Sequence, residues 1–344
     1  MYFPDGETEM QVLVICGESI GDVVFSTPVL RSIKVELDDI NLHALFSANT
    51  AFLAEENPYL DQVHRYTPGA FGKLLGDLKK QRFDIVVNLR TDWRSRLLCF
   101  LLFTKTYSYR MTRWKHWLMV NLKINHLPNV HHVDKMILSL KSLGLKGDEL
   151  GLDFFIPEKD KVLLEWLPEE FRRGFVAFAI SAPYSTRKLP VDRMIELCDK
   201  INKPIILLGS AEDATTGQVI NTFFGRGLSV AWEKGLLELN KRTIVYNACG
   251  KFNFNQMASL VKQSSAVFTF DNDFVPVASA FRKEVFALWG NTILLFGRYP
   301  YRTKFTVLES NSVACRPCSV HGFGKCPKGH FKCMRDIMFD FYLP

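Results

Sequence analysis

Gln11–Cys16 reads QVLVIC, and residues 17–22 continue it as Gly-Glu-Ser-Ile-Gly-Asp. The first piece is a short apolar run rich in β-branched residues, which suits a strand buried on both faces. The second is a glycine-bearing turn. Val23–Leu37 follows as an amphipathic helical stretch with Pro28 near its first turns. Strand, glycine turn and helix in this order open a βαβ unit. The spacing Gly17-x3-Gly21 is neither a dinucleotide fingerprint nor a Walker loop, because no Gly-Lys-Ser/Thr follows. Asp22 comes straight after the turn, at the carboxyl end of the first strand, where it suits either chemistry or a helix N-cap.

The same alternation continues. Leu42–Phe46 and Asp84–Leu89 read as strands. Ala51–Glu56, Gly72–Arg82 and the stretch after Asp92, with its apolar run Leu97–Phe103, read as helices. The second half restarts the pattern. Residues 152–171 read as a connector and helix, with a boundary near residues 160–172. Then come a strand (Gly174–Ile180), a polar loop (Ser181–Pro190), a helix (Val191–Ile201) and a strand (Pro204–Leu208). Further strands are expected at Ile244–Asn247, Ala266–Phe270 and Val285–Trp289, with helices at Asn253–Ser264 and Val275–Phe281. Alternating strands and helices imply parallel sheets covered on both faces, with ligands at the carboxyl ends of the strands. The expected organisation is an α/β domain over 1–165, a second over 170–310, and a Cys-rich segment over 311–344.

The 344 residues suit two domains. Hydrophobic residues make up 47 % and charged residues 23 %, which excludes a chain too polar to build a core. No apolar stretch approaches the ~20 residues of a spanning helix. The first residues lack a basic leader and carry Glu7 and Glu9, so the expected location is the cytoplasm. The net charge of +7 is concentrated. Arg90, Arg94, Arg96, Lys105, Arg110, Arg113, Lys115 and Lys123 face a single acid in that stretch, Asp92. Trp93, Tyr107, Tyr109, Trp114 and Trp117 are interleaved with them. Such a patch attracts the phosphates of a membrane surface, an anionic substrate or single-stranded nucleic acid, or it is a solvated face.

Of eight cysteines, four cluster as Cys315-x2-Cys318-x7-Cys326-x6-Cys333, with His321 and His330 as substitutes. In a reducing compartment clustered thiols point to a structural zinc, with free thiols or a disulfide as alternatives. Cys16, Cys99, Cys198 and Cys249 sit in apolar patterns and read as core.

Several segments together resemble the ADP-heptose:lipopolysaccharide heptosyltransferases, glycosyltransferase family 9. They are Gly21–Arg31, Asn57–Val63, Phe83–Arg90 with Arg94-Ser95, Ser185–Pro190, Leu208–Asp213 and Leu288–Thr292. The resemblance implies a GT-B architecture: two Rossmann-like doubly wound domains facing across a cleft. It also implies an inverting, metal-independent transfer of a heptose or related sugar. The donor would be an ADP-heptose-type nucleotide sugar and the acceptor an anionic glycolipid of lipopolysaccharide-core type at the inner membrane face. No nucleic acid and no catalytic cofactor are implied. A different nucleotide-sugar donor, or a non-catalytic glycan- or lipid-binding relative, are the alternatives. A Rossmann dehydrogenase is disfavoured by the missing G-x-G-x-x-G.

By the same resemblance Asp22 is the general base, and Gly21 allows close backbone approach to the sugar. Arg187 takes the place of a lysine that meets the donor diphosphate, flanked by Ser185, Thr186 and Lys188. Glu212 holds ribose hydroxyls or begins a helix. Asp271 holds sugar hydroxyls, and the amides of the turn that follows bind phosphate. That turn departs from the family: Asp271-Asn272-Asp273-Phe274-Val275-Pro276 stands where Asp-Thr-Gly-Leu/Pro-Met-His is usual. Asp273 adds charge facing a diphosphate and Pro276 removes an amide, which implies weaker donor binding or a donor shifted away from ADP-heptose. Taken alone, Asp271-x-Asp273 would suit a divalent-metal anchor. Arg94, Arg110 and Arg113 are the candidate acceptor-binding cations.

Overall fold

A computed structural model describes residues 9–109, 112–233 and 242–343 of the chain. It divides into two compact units, one taking residues up to 112 together with 130–155, the other 113–129 with 156 onward.

The first unit builds a parallel sheet from β1 (Met10–Ile15), β2 (Ile40–Ser47), β3 (Gln62–Tyr66), β4 (Ile85–Asn88) and β5 (Lys105–Ser108). The order is β3-β2-β1-β4-β5. Val12 of β1 pairs with Leu42 on one side and Ile85 on the other. Val12, Leu13 and Val14 are fully buried, as a strand covered on both faces must be. The second unit holds β6 (Val176–Ala179), β7 (Pro204–Leu208), β8 (Ile244–Asn247), β9 (Val267–Phe270), β10 (Val285–Trp289) and β11 (Phe305–Glu309). Their order is β11-β10-β9-β6-β7-β8, again all parallel. Both are doubly wound sheets, as the alternating pattern predicts. In each, the strand order reverses beside the first strand: between β1 and β4, and between β6 and β9. The carboxyl ends at these reversals are where open α/β sheets bind ligands.

The first helix runs Ile20–Glu36, earlier than its apolar pattern suggests, with Pro28 inside it. Proline has no N–H for the Val24 carbonyl, and the Thr27 hydroxyl donates to that carbonyl instead, at 2.8 Å. The helix expected over 159–171 does not form. Three 3₁₀ turns, Glu158–Asp160, Leu164–Trp166 and Glu169–Phe171, take its place. The backbone there is committed elsewhere. Val162 N–H donates to Ser259 Oγ at 3.0 Å, and its carbonyl accepts from Gln263 at 2.9 Å. The side chains of Asn253 and Asn255 meanwhile donate to Asp160. Tertiary hydrogen bonds thus override local helical preference.

The core of the second unit includes stacked Phe268 and Phe286, 4.5 Å apart, with Phe341 against both. Cys333, Met334, Ile337 and Phe339 are buried in it too, so the C-terminal stretch contributes to this core. Among the described residues no helix is long and apolar enough to cross a membrane.

Candidate active site

In the first unit the turn after β1 is built around Asp22. Ser19 is the N-cap of the helix Ile20–Glu36, and its hydroxyl accepts the Asp22 N–H at 3.1 Å. Asp22 Oδ2 accepts the Ser19 N–H at 3.4 Å. Asp22 is therefore the third helical residue of a capping box rather than the cap itself. Gly17 makes this possible, because a Cβ there would run into the Cβ of Asp22. Gly21 is buried beside it. Across the strand reversal, Arg90 follows β4 with its side chain 8 % exposed. It pairs with Glu18 and donates to Asp92 at 2.7 Å. Asp92 caps the helix Trp93–Leu102 by accepting from the Arg94 and Ser95 amides. Burial pushes its carboxyl up, but the bonds from Arg90 and Ser95 hold it below the usual range. Burial pushes the Cys16 thiol beneath this turn up to about 12, so it stays protonated.

In the second unit the loop after β6 meets the loop after β9. Arg187 Nη1 donates to the Asp271 carbonyl at 2.9 Å and lies 3.4 Å from its carboxylate. Its Nη2 donates to the Val320 carbonyl at 3.2 Å. Its Nε is buried with no hydrogen-bond partner. Burial draws the guanidinium below an ordinary arginine's pKa; Asp271 and Asp273 oppose this, and Arg298 adds to it. Asp271 also accepts the Thr292 hydroxyl at 2.7 Å. Lys188 donates to Asp213, which follows β7, at 2.6 Å. Asp213 further accepts from Ser181 and from the Ser210 hydroxyl and amide. Burial raises the Asp213 carboxyl, and these bonds, led by Lys188, bring it below the usual range.

Two further expected donor-site residues, Thr186 and Asn272, are tied into the structure. Thr186 is buried, exchanging bonds with the Phe323 backbone. Asn272 donates to the Ser181 carbonyl at 2.6 Å and accepts from Thr269 and the Phe274 amide. The Phe274 amide is therefore already engaged, and its ring packs on Phe254 inside the core. Pro276 is buried in the short helix Phe274–Ala280. Ser185 and Glu212 are exposed at the rim, and Asp273 is half-buried.

Arg187, Lys188, Asp271, Asn272 and Asp273 thus stand together, while Asp22 and Gly21 lie in the first unit. Arg94 belongs to the first unit and Arg113 to the second, both exposed; Arg110 lies outside the described residues. Sequence reasoning quoted Asp213 and Thr292 within family-like segments without giving either a role, and it did not reach Arg298. The first two were legible from their positions just past strands β7 and β10.

The four clustered cysteines carry no disulfide. Cys315 Sγ lies 3.7 Å from His330 Nε2. Burial raises the Cys318 and Cys333 thiols, Cys333 to about 12, and their cysteine neighbours add to both. Among the described residues no three His, Cys, Asp or Glu side chains gather as a metal-holding group.

Comparison with known proteins identifies the family. The family model for glycosyltransferase family 9 (heptosyltransferase) matches residues 71–323, more than half of the chain. Lipopolysaccharide heptosyltransferase 3 of Escherichia coli K12 is 23 % identical over 296 residues, covering 81 % of this chain and 82 % of that protein. Among solved structures, a family 9 glycosyltransferase of Veillonella parvula has a TM-score of 0.67 at 18 % identity, covering 88 % of this chain and 86 % of that one. ADP-heptose lipopolysaccharide heptosyltransferase II of E. coli has a TM-score of 0.66 at 18 % identity, covering 95 % and 98 %. With two doubly wound sheets, and a family match that takes in all of the second and β4 and β5 of the first, the chain belongs to glycosyltransferase family 9 and is a glycosyltransferase of the heptosyltransferase type.

Proposed function

We propose that this enzyme moves a heptose, with inversion, from an ADP-heptose-type donor to an anionic glycolipid of lipopolysaccharide-core type. The observation that carries the reading is Arg187. A largely buried guanidinium is braced on Asp271 and Val320 at the strand reversal of the second unit, and these bonds leave several of its five N–H groups unused. A guanidinium fixed in this way, with N–H groups to spare, is a fitting partner for diphosphate oxygens.

The chemistry divides between two side chains. Asp22 takes the proton of the acceptor hydroxyl as that oxygen bonds to the anomeric carbon. The bond from the anomeric carbon to the diphosphate oxygen breaks, and its electron pair stays on the leaving ADP. Arg187 stabilises that developing charge without any reorganisation, since its other N–H groups already fix it in place. No metal is needed for this step, because the cation is supplied by the chain. Asp271 supports the same reading: its Oδ2 faces Arg187 and accepts the Thr292 hydroxyl, so it serves as a brace for the cation.

The reading is tested by calorimetric titration with ADP. Wild type should bind, and Arg187→Met should bind at least about tenfold more weakly, the loss of one charged hydrogen bond. Equal binding would remove Arg187 from the donor site.

A further inference from the structure

The helix Trp93–Leu102 turns only part of its apolar surface inward. Leu98 and Cys99 join the core with Leu13, Leu74, Leu78 and Val86. Trp93, Leu97 and Phe100, with Phe103 just past the helix, stay outside at 67, 38, 68 and 80 % exposure. At 3.6 residues per turn, Trp93, Leu97 and Phe100 fall within about 60° of one another. Arg96 flanks this stripe on one side and Arg94 on the other, both exposed. The Arg94 guanidinium lies 5.5 Å from the Trp93 ring centre, and the Lys79 ammonium 5.9 Å from that of Phe103. Residues 93–102 contain no acid. The nearest, Asp92, is taken up by the helix cap and Arg90.

Packing does not require this stripe, because the opposite face of the helix already supplies the core. A contiguous aromatic and aliphatic surface left in water marks an interaction site. Its chemistry selects the partner. A second copy docking face to face would set Arg94 and Arg96 against their own counterparts. An acidic soluble protein would answer the charge but not the three-residue apolar stripe. An anionic bilayer answers both. Trp, Leu and Phe enter the boundary between headgroups and acyl chains, while Arg and Lys reach up to the phosphates.

We propose that the Trp93–Phe103 stripe, with Arg94, Arg96 and Lys79 around it, is a docking face for an anionic phospholipid surface. It deepens the proposed function, and rests on it only in taking the acceptor to be lipid-linked. The face lets the enzyme search for its acceptor along the membrane rather than from solution.

The test is co-sedimentation of the full chain with vesicles of phosphatidylcholine alone or with added phosphatidylglycerol, across a salt series. Wild type should bind only the anionic vesicles, and less so as salt rises. The variant Trp93→Ser/Phe100→Ser should bind at least about tenfold more weakly, with its melting point and ADP affinity unchanged. Should that variant melt early, Phe103→Ser, beyond the helix, replaces it. Failure of wild type to bind anionic vesicles, or equal binding by the variants, would overturn the proposal. So would a wild-type dimer that the variant splits, which would assign the face to a second copy. ADP affinity, measured without lipid, reports on the donor site separately, so the two readings fail independently.

Discussion

Arg187 reaches the backbone carbonyl of Asp271 at 2.9 Å and lies 3.4 Å from its carboxylate, joining the loop after β6 to the loop after β9. In the proposed reaction the brace would pre-position a single cation for the leaving diphosphate. It also makes Asp271 a positioning residue. Asp271→Asn keeps the carbonyl and an acceptor for Thr292 but loses the charge. ADP affinity should fall several-fold, less than in Arg187→Met, and calorimetry of both variants checks the order.

Asp273 faces Arg187 electrostatically and would also face the donor's phosphates. Asp273→Asn should therefore tighten ADP binding, by up to about tenfold at 1.4 kcal/mol per decade. Unchanged affinity would show that this departure from the family's usual turn is silent for the donor.

Gly17 carries a prediction of its own. Gly17→Ala forces the new Cβ against Asp22, and the turn must shift to relieve it. Turnover should drop by at least about tenfold, since a small misplacement of a reacting group is expensive, while ADP affinity holds. Steady-state transfer kinetics beside calorimetry separate the two effects.

A buried histidine pair in the first unit makes its stability pH-dependent. His43 Nδ1 and His64 Nε2 are 2.9 Å apart, stacked together and set edge-on to Phe83. Burial first, then the neighbouring His64, lower His43 to about 4, with Asp61 partly opposing. Burial lowers His64 as well, against Asp77. Both prefer to be neutral when folded, so their contribution is complete above the unfolded value near 6.5 and fades as pH falls toward about 4. The melting point at pH 5 should lie a few degrees below that at pH 7.5. His64→Phe should flatten the difference, and an undiminished slope would assign it to other groups.

Arg31 is 4 % exposed and donates to Asp148, Asp153 and the Gly151 carbonyl. Arg31→Met leaves two carboxylates without their cation. Breaking such a buried network costs about 3–5 kcal/mol. Urea unfolding followed by a probe in the first unit should show that loss.

Much of this was legible in the sequence because buried parallel strands are continuous apolar runs. Val191–Ile201, Pro204–Leu208 and Val285–Trp289 form as read. The strands that escaped notice are sheet edges. β3 is Gln-Val-His-Arg-Tyr and β5 is Lys-Thr-Tyr-Ser, largely exposed and without an apolar run. β11 is likewise an edge. The motif residues surfaced at strand ends, but their partners did not. That Asn272 would bind Ser181, 91 residues away, or that Lys188 would find Asp213, is a matter of loop geometry that no local pattern encodes. Gly17 was visible as a turn glycine, yet the collision it avoids depends on where Asp22 folds back.

The most direct measurement is ADP release from ADP-heptose in the presence of a heptose-deficient lipopolysaccharide core, comparing wild type with Asp22→Asn. Asparagine still accepts the Ser19 amide, so the capping box and the fold should survive. Wild type should turn over, and the variant should be slower by at least about a hundredfold with ADP affinity unchanged, the loss expected for a missing general base. Equal rates for the two proteins at matched folding, or no acceptor-dependent release by wild type, would contradict the account.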